Sequence, residues 1–331
     1  MECAIITTYR CNAKCDMCRI YLNPTKVAEE FNPKILEKLP DNLKRVNITG
    51  GEPTLRQDLL DIVTIMLKKA KKVDISTNGY FPERLISIGK KYPQVIFRIS
   101  AEGLPKLNDD LRGLKDGFDH SLRSIIGLSK VGVRDIGLGM VISGKNKNDL
   151  LNLYSLCVMM GINFSTSTLH NSFYFNKTDN IIDNVGDTAK VVQEYIVELL
   201  KSRRRNIKMK LKDWAKAYVN YGILNHIKGE KRPIPCGAGT ELFFLDPYGR
   251  ILACNGSPEP WIMGNLNDQT FDEIWNSEEA QLVRNKVKNC TRECWMVGSA
   301  RPAMRSHFIS AGYWIFSKKI KLLLGQEIWQ N

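Results

Sequence analysis

Three cysteines crowd the start of the chain: Cys11, Cys15 and Cys18, reading Cys-Asn-Ala-Lys-Cys-Asp-Met-Cys. This spacing places three thiolates on one tight loop. Iron–sulfur clusters are normally held by four cysteine thiolates. Three leave one corner of a four-iron cluster without a protein ligand, an iron kept open for another molecule. That suits a catalytic cluster better than a plain electron carrier. A second set, Cys236, Cys254, Cys290 and Cys294, offers four thiols. Four can complete a cluster or hold zinc, and the residue types alone leave both open. The segment Thr49-Gly50-Gly51-Glu52-Pro53 adds two glycines, which let backbone pass close to a ligand. It also adds the Glu52 carboxylate, which could grip an ammonium group. Taken alone, Gly-Gly-Glu-Pro is also an ordinary turn.

Something must carry these loops to one place. Short apolar or alternating runs at 4–8, 45–49, 72–76, 95–100, 136–142 and 163–168 are expected to be strands. Helices are expected between them at 33–39, 59–70, 83–91, 118–131 and 148–160, with another at 189–200. Strand–helix alternation argues for βα units around a parallel sheet. Six units in about 170 residues fit an α/β fold with a partial (β/α)6 TIM-like barrel better than a complete eightfold one. Loops after strands form the active face of such a barrel. The cysteine trio follows the first strand and the Gly-Gly-Glu-Pro turn follows the second, so both land on one rim.

The strands also alternate in polarity. Asn47 and Thr49 share a face, as do Asp74, Ser76 and Asn78. Arg98, Ser100 and Glu102 follow, then Thr166, Thr168 and His170. Period-two spacing sets each group on one side of its strand. Both faces of a parallel sheet are normally covered, so these sides are expected to line a polar lumen holding a polar ligand, the alternative being that they face solvent or cap helix ends. His170, at the end of the sixth strand, is a candidate acid/base or substrate contact, with a structural hydrogen bond as the plainer alternative. Tyr174, Glu241, Trp295 and Arg301 are candidates by proximity to the motifs.

The 331 residues, 43% of them hydrophobic, suffice for one large domain and a smaller one. No run of eighteen apolar residues offers a membrane span, and no signal peptide is expected ahead of Cys11. Nine cysteines without an export signal read as metal or redox groups rather than disulfides, and a reducing cytoplasm is the expected compartment. Cys3 and Cys157 lie in apolar runs and are expected to be buried structural thiols. A formal net charge of +13 attracts anions. Phosphorylated substrates, nucleic acid and an acidic membrane all qualify, and charge does not choose among them. The basic run 201–212, with Arg203, Arg204 and Arg205, is either a solvated helix end and linker or a phosphate or nucleic-acid patch. The segment 308–329 mixes Tyr313, Trp314, Phe316, Ile320 and Leu323 with Lys318, Lys319 and Lys321. Too charged to span a bilayer, it either packs on the barrel or a second copy, or lies as an amphipathic helix on an anionic membrane. The expected division is 1–210 for the barrel, 211–300 for the second cysteine domain and 301–331 for a basic, apolar C-terminal helix.

With Cys11, Cys15 and Cys18 spaced Cys-x-x-x-Cys-x-x-Cys and Gly50-Gly51-Glu52-Pro53 after the next strand, the chain resembles the radical SAM superfamily over roughly residues 1–200. The resemblance implies a partial barrel whose three cysteines hold a [4Fe–4S] cluster. It implies that S-adenosylmethionine chelates the fourth iron through its amino and carboxylate groups. One electron then cleaves a carbon–sulfur bond, and the resulting 5′-deoxyadenosyl radical abstracts hydrogen from a substrate. By the same resemblance Gly51 and Glu52, in the turn with Gly50 and Pro53, contact the methionyl ammonium. Ser76, Asn78, Ser100 and Glu102 lie where the family binds ribose and methionine, and Arg112 is a candidate carboxylate anchor. The family commonly has an aromatic residue before the third cysteine, near adenine. This chain has Met17, whose thioether can still cover a ring.

Around the second set, Cys236-Gly237-Ala238-Gly239, Asp246-Pro247-Tyr248-Gly249, Cys254, Gly264-Asn265-Leu266 and Glu273-Ile274-Trp275 resemble the SPASM/twitch extension of that superfamily, over roughly 233–296. A hairpin is expected there, with strands at 242–245 and 251–253 joined by a Pro/Gly turn. A full SPASM domain has more cysteines and two auxiliary clusters. Four cysteines fit the shorter twitch type, a small α+β domain with one auxiliary [4Fe–4S] cluster. The implied cofactors are two [4Fe–4S] clusters and S-adenosylmethionine, with a flavodoxin- or ferredoxin-type electron donor. An auxiliary cluster can accept an electron from a substrate radical. The expected reaction is therefore net oxidation of a small polar or phosphorylated substrate, such as a sugar, a cyclitol or a phosphate-linked intermediate. Three alternatives stand beside it: a peptide-modifying maturase (epimerase, thioether or crosslink), a tRNA-modifying enzyme, and a non-catalytic iron–sulfur or zinc protein. With ten residues before Cys11, no leader-binding module is expected ahead of it.

Overall fold

In the computed structural model, which describes residues 1–329, six parallel strands follow one another across a single sheet. They are β1 (Glu2–Ile6), β2 (Arg45–Thr49), β3 (Val73–Thr77), β4 (Ile96–Ser100), β5 (Ile136–Ile142) and β6 (Asn163–Thr168). On the other side of β1 the sheet continues into β7 (Leu242–Leu245), parallel to β1, then the antiparallel β8 (Arg250–Leu252) and β9 (Ile262–Asn265). The sheet is open, with β6 and β9 at its edges, and does not close into a barrel.

Helices α1 (Leu59–Lys69), α2 (Pro82–Lys91), α3 (Pro105–Arg112), α4 (Gly117–Lys130) and α5 (Leu150–Met159) cross between strands. α6 (Val185–Lys201) and α7 (Ile207–Ile227) follow β6; α8 (Phe271–Asn276), α9 (Glu278–Lys288), α10 (Val297–Ser306) and α11 (Phe308–Leu323) follow β9. The last two residues of the expected 301–331 segment lie outside the described residues.

All six core strands form within two residues of their expected bounds. The reason is visible in register. Ile5 stands beside Ile48, Ile48 beside Ile75, and Ile75 beside Phe97, all fully buried. Helices α1, α4 and α5 pack on the strands from outside. Burying each such side chain contributes about 2 kcal/mol relative to leaving it in water. The intervening positions turn to the other side; on β2–β4 they are the polar Asn47, Asp74, Ser76 and Arg98, whereas β1 puts Ala4 and Ile6 there.

Three features depart from the sequence expectation. Segment 33–39 forms a 3-10 helix, Pro33–Lys38, rather than an α-helix. α7 shows little amphipathic periodicity because neighbours clasp it on several sides, burying Asp213, Ala217, Asn220, Gly222 and Leu224 around its girth. It also runs through residue 210, where the first two expected units meet. The basic run before it is not simply a solvated linker, since Arg204 is buried and donates to Asp213 at 2.8 Å. Cys3 and Cys157 are buried, as expected.

α7 packs on β6, and α10 packs on both α7 and β7. These two helices thereby bridge the open side of the sheet. Just ahead of α10, Trp295 packs tightly on α7, its indole N–H donating to the Val219 carbonyl at 2.8 Å. A Cβ on Gly222 would stand 2.1 Å from that indole ring.

Candidate functional site

The loop after β1 carries the cysteine trio, and two polar networks hold it. Glu30 accepts from Thr25 Oγ1 at 2.7 Å, from Arg10 Nε at 2.9 Å and Nη2 at 2.8 Å, and from the Thr8 hydroxyl. Arg56, buried behind it, donates to the carbonyls of Thr7 at 3.0 Å and Phe31 at 2.9 Å. On the other flank the end of α3 braces the loop: Lys14 N–H donates to the Arg112 carbonyl at 3.0 Å and Asp16 N–H to that of Leu111 at 2.9 Å.

The two glycines of the Gly-Gly-Glu-Pro turn serve this loop. Gly51 N–H donates to the Thr8 carbonyl at 2.7 Å, and Glu52 N–H to that of Arg10 at 2.9 Å. A Cβ on Gly51 would stand 2.2 Å from the Arg10 carbonyl oxygen. The close approach expected toward a ligand is thus made to the cysteine loop itself. Glu52 also departs from expectation. It is fully buried and already filled by four donors. Oε1 accepts from Thr54 N at 3.0 Å, Thr54 Oγ1 at 2.6 Å and Thr77 Oγ1 at 2.7 Å, while Oε2 accepts from Asn78 N at 2.7 Å. The carboxylate locks the turn, with buried Pro53, onto the end of β3 rather than standing free for an ammonium group.

Asn78 Nδ2 donates to Asn12 Oδ1 at 2.7 Å, tying the end of β3 to the cysteine loop. Asn12 is a site residue that sequence reasoning missed. Its partner lies 66 residues away, and no local pattern flags it. Its own Nδ2 is buried without a partner. Arg112 donates to Glu102 at 2.9 Å, and Glu102 also accepts from Val141 N–H at 2.7 Å. Burial pushes the Glu102 carboxyl up, while Arg112 pulls it down. Arg112 stands close enough to Cys15 and Cys11 to favour their thiolates. Met17 is half-buried, and its carbonyl accepts from Asn180 Nδ2 at 3.1 Å.

The chemistry of both thiol sets fits a metal cluster. Burial pushes Cys11 up to about 12 and Cys18 up to about 11, and raises Cys15. Such thiols keep their protons at neutral pH unless a metal cation replaces them. Ala13 N–H points at Cys11 Sγ from 3.4 Å, a donor aimed at sulfur. The second set repeats the arrangement. Gly256 N–H points at Cys254 Sγ from 3.2 Å, and burial pushes Cys254 up to about 12. Cys294, Cys236 and Cys290 are near enough to raise Cys254 further. They converge from the segment before β7 and the chain after α9.

Between the two sets lies a cavity of about 350 Å³. Asn47, Asp74, Ser76, Arg98, Ser100 and Glu102 line it from β2–β4 and just beyond, and Thr166, Thr168 and His170 from β6 and its end. The expected lumen is therefore present, but only its β2–β4 and β6 walls are polar; Ala4, Ile6, Ile20, Phe175, Phe244 and Val297 give it an apolar share that the alternation did not foretell. Gly51, Glu52, Pro53, Asn78 and Met17 stand outside its lining, while Gly50 is part of it. At one end Tyr9, Ile20 and Gly50 adjoin the trio. At the other, Asn255, Trp295 and Met296 neighbour Cys254 and Cys294 in the chain. Arg45 pairs with Asp74 through Nε at 2.6 Å, and Arg301 with Glu2 at 3.1 Å, giving the lumen charged groups at its floor.

Six lining residues each keep a buried polar atom without a partner: Tyr9 Oη, Asp74 Oδ1, His170 Nε2, Tyr174 Oη, Asn255 Oδ1 and Arg301 Nε. Buried polar groups are nearly always hydrogen-bonded. Six orphans around one void mark a place for a polar ligand. His170 Nδ1 lies 3.3 Å from the Thr168 carbonyl, which assigns the ring proton to Nδ1 and leaves Nε2 as an acceptor. Burial lowers its pKa, so the ring is neutral at neutral pH. Tyr174, Trp295 and Arg301 join it in the wall. Glu241 does not; it accepts from Ser306 away from the cavity.

Comparison with known proteins agrees with this geometry. The family described as "Radical SAM superfamily" matches residues 5–157, and the SPASM family, described as "Iron-sulfur cluster-binding domain", matches 236–295. The mycofactocin maturase MftC of Mycolicibacterium smegmatis is 26% identical over 292 residues, 82% of this chain and 69% of that protein. The Fe-coproporphyrin III synthase of Methanosarcina barkeri is 30% identical over 157 residues, 45% of this chain and 39% of that protein. The antilisterial bacteriocin subtilosin biosynthesis protein AlbA of Bacillus subtilis is 26% identical over 282 residues, 82% of this chain and 58% of that protein. The chain thus spans between 39% and 69% of the length of these relatives. Among solved structures, native anSMEcpe with bound AdoMet shares the fold, with a TM-score of 0.65 at 15% identity over 96% of this chain and 99% of that one. The two matched domain types carry S-adenosylmethionine and two [4Fe–4S] clusters as cofactors. With thiol sets suited to iron at both ends of one lumen, this chain carries a radical SAM domain over residues 5–157 and a C-terminal SPASM-type iron–sulfur domain over residues 236–295.

Proposed function

We propose that this enzyme modifies a peptide, drawing one side chain of it into the lumen between the two cysteine sets. Cys11, Cys15 and Cys18 hold the first cluster, and Cys236, Cys254, Cys290 and Cys294 hold the second. When bound, the first cluster and S-adenosylmethionine supply one-electron chemistry that ends in hydrogen abstraction. The protein's own groups do the rest. Glu52, Asn78 and Asn12 fix the cysteine loop against β3. Arg112, with Glu102, sets a cation beside the trio. The lumen walls exclude bulk water, and the unpartnered atoms of Asp74, Tyr9, Tyr174 and Arg301 orient the bound group. His170 Nε2, neutral and unpartnered, accepts a proton from it. A flavodoxin- or ferredoxin-type donor would supply the electron consumed at the first cluster, and Cys236, Cys254, Cys290 and Cys294 would hold a second cluster able to take up the separate electron that the substrate radical loses.

The observation that carries this reading is one cavity walled at both ends by neighbours of a cysteine set. Loops that contribute Ile20, Tyr174 and Phe175 to its lining also carry exposed apolar groups. Leu22, Phe173 and Ile181 are more than half exposed, on loops joined by the Arg19 N–H to Phe175 carbonyl bond at 2.8 Å. Such apolar groups can seat residues flanking a buried side chain. The relatives matched over 82% of this chain are a maturase and a bacteriocin biosynthesis protein, whereas the coproporphyrin synthase matches only its first part. A second reading, oxidation of a small polar substrate, is favoured by the polar groups on the β2–β4 and β6 walls, since about 350 Å³ also holds a sugar ring.

The test is anaerobic incubation of the reconstituted, reduced protein with S-adenosylmethionine and short peptides encoded beside its gene. A mass change in the peptide, with deuterium passing from a labelled side chain into 5′-deoxyadenosine, is the expected result. Turnover of sugars or cyclitols with every peptide inert would favour the second reading instead.

A further inference from the structure

α11 presents an apolar stripe to water that nothing among the described residues covers. Ile309, Tyr313, Phe316, Ile320 and Leu323 recur at helical spacing and are 39–82% exposed, with Phe308 and Leu324 exposed beside them. The opposite side of the helix is already used. Trp314 stacks on Tyr221 of α7 at 4.8 Å, and Ala311 is buried. The stripe is therefore not an unfinished packing face of this fold. Contiguous exposed apolar surface of this kind marks an interaction site.

Charge and length identify what covers it. Lys319 stands at the edge of the stripe, three residues past Phe316. Its ammonium donates to the Leu200 carbonyl at 3.0 Å and lies 3.9 Å from the Trp214 ring. Leu200 directly precedes the run 201–212, which contains seven Lys and Arg and no acidic residue. Within that run Arg204 is buried against Asp213 and Lys212 pairs with Asp135 at 2.9 Å, while Lys201, Arg203, Arg205 and Lys208 are exposed, as are Ile207 and Leu211. The stripe is thus bordered by a basic strip with apolar members of its own. A second copy of this chain would bring the same positive strip against it. An anionic surface with an apolar interior complements both parts. No helix among the described residues is long and apolar enough to cross a membrane. The 16 residues of α11 span about 24 Å, a length suited to lying in the plane of a bilayer.

We propose that α11, with the basic run 201–212 beside it, docks this protein in-plane on an anionic lipid bilayer. The stripe enters the headgroup–acyl boundary, and the exposed Lys201, Arg203, Arg205 and Lys208 meet lipid phosphates. The proposal does not depend on which substrate enters the lumen.

The test is flotation of the holoprotein with vesicles of mixed phosphatidylglycerol and phosphatidylcholine, and with phosphatidylcholine alone. Binding should be at least about tenfold weaker on the neutral vesicles and should fall as salt rises. The double variant Phe316→Glu/Leu323→Glu should lose about tenfold or more on anionic vesicles. Both positions are exposed, so its iron content and visible absorbance should match the parent. Lys319→Glu, at the stripe's edge, should weaken binding less. The proposal is overturned if neither vesicle type binds, or if the double variant binds like the parent. A dimer in light scattering that the same two substitutions disperse, without vesicle binding, would assign the stripe to a second copy and also overturn it.

Discussion

Glu52→Gln separates two roles for the carboxylate in the Gly-Gly-Glu-Pro turn. In the structure it is a buried hub whose two oxygens accept four hydrogen bonds, with no solvent exposure. Glutamine keeps the shape but turns one oxygen into an NH2 group. Placed at Oε1, that group would oppose Thr54 N–H and force two hydroxyls to rotate. Placed at Oε2, it opposes only Asn78 N–H, so this orientation is the less costly. Two buried donors then face each other. Leaving a buried donor without an acceptor costs about 1–3 kcal/mol, and the surviving bonds lose their charge-assisted share. We expect a loss of roughly 3 kcal/mol, against a typical total of about 5–15 kcal/mol. Urea unfolding of the metal-free chain measures this directly, because neither cluster nor S-adenosylmethionine is present. A carboxylate that serves to grip an ammonium group predicts the opposite split. An unchanged unfolding midpoint, together with weakened S-adenosylmethionine binding in the reconstituted variant, would refute the structural role.

Three further outcomes follow from contacts elsewhere. Gly51→Ala drives a Cβ into the Arg10 carbonyl at 2.2 Å, with backbone and no flexible side chain to yield; iron and sulfide analysis should show one cluster lost and the other retained. Gly222→Ala meets the Trp295 indole at 2.1 Å, and overpacking of this kind costs about 1–3 kcal/mol, measurable as a lower unfolding midpoint. Asp135 titrates with the fold: burial acts to raise it, but Arg98 and Lys212 outweigh burial and hold it at about 2, below its ordinary 3.8. A lowered carboxyl stabilises the folded state above about pH 4 and loses that contribution as pH falls toward 2. Asp135→Asn should therefore cost about 2 kcal/mol at pH 7. The gap between variant and parent should close below pH 4 in unfolding of the metal-free chain.

Much of this site is legible from residue order. The cysteine trio, the second thiol set and the six core strands carry local signals, namely fixed spacing and period-two alternation. The same alternation foretold the lumen, because Asn47, Asp74, Ser76, Arg98 and Ser100 fall opposite Ile48, Ile75, Phe97 and Ile99. Supports joined over long sequence distances carried no such signal. Glu30 reaches Arg10 across 20 residues and Asn78 reaches Asn12 across 66, and each side chain in isolation resembles a surface residue. Glu52 shows the same limit differently. Its type and position point to a ligand contact, but only the fold reveals Thr54, Thr77 and Asn78 already filling it. α7 carries no such signal, because a helix gripped on several sides has no single apolar stripe. α11 has such a stripe, yet periodicity could not tell which of its faces meets the core. Substrate class depends on how the rim loops at Leu22, Phe173 and Ile181 come together, and these residues are far apart in sequence.

The central claim is that three thiols on the loop after β1 hold a cluster open to S-adenosylmethionine. The measurement that tests it most directly is 5′-deoxyadenosine release on reduction of the anaerobically reconstituted protein with S-adenosylmethionine, in the parent and in Cys11→Ala, Cys15→Ala and Cys18→Ala. Release by the parent and its loss in all three variants is the predicted result. Undiminished release by any one of them would contradict it.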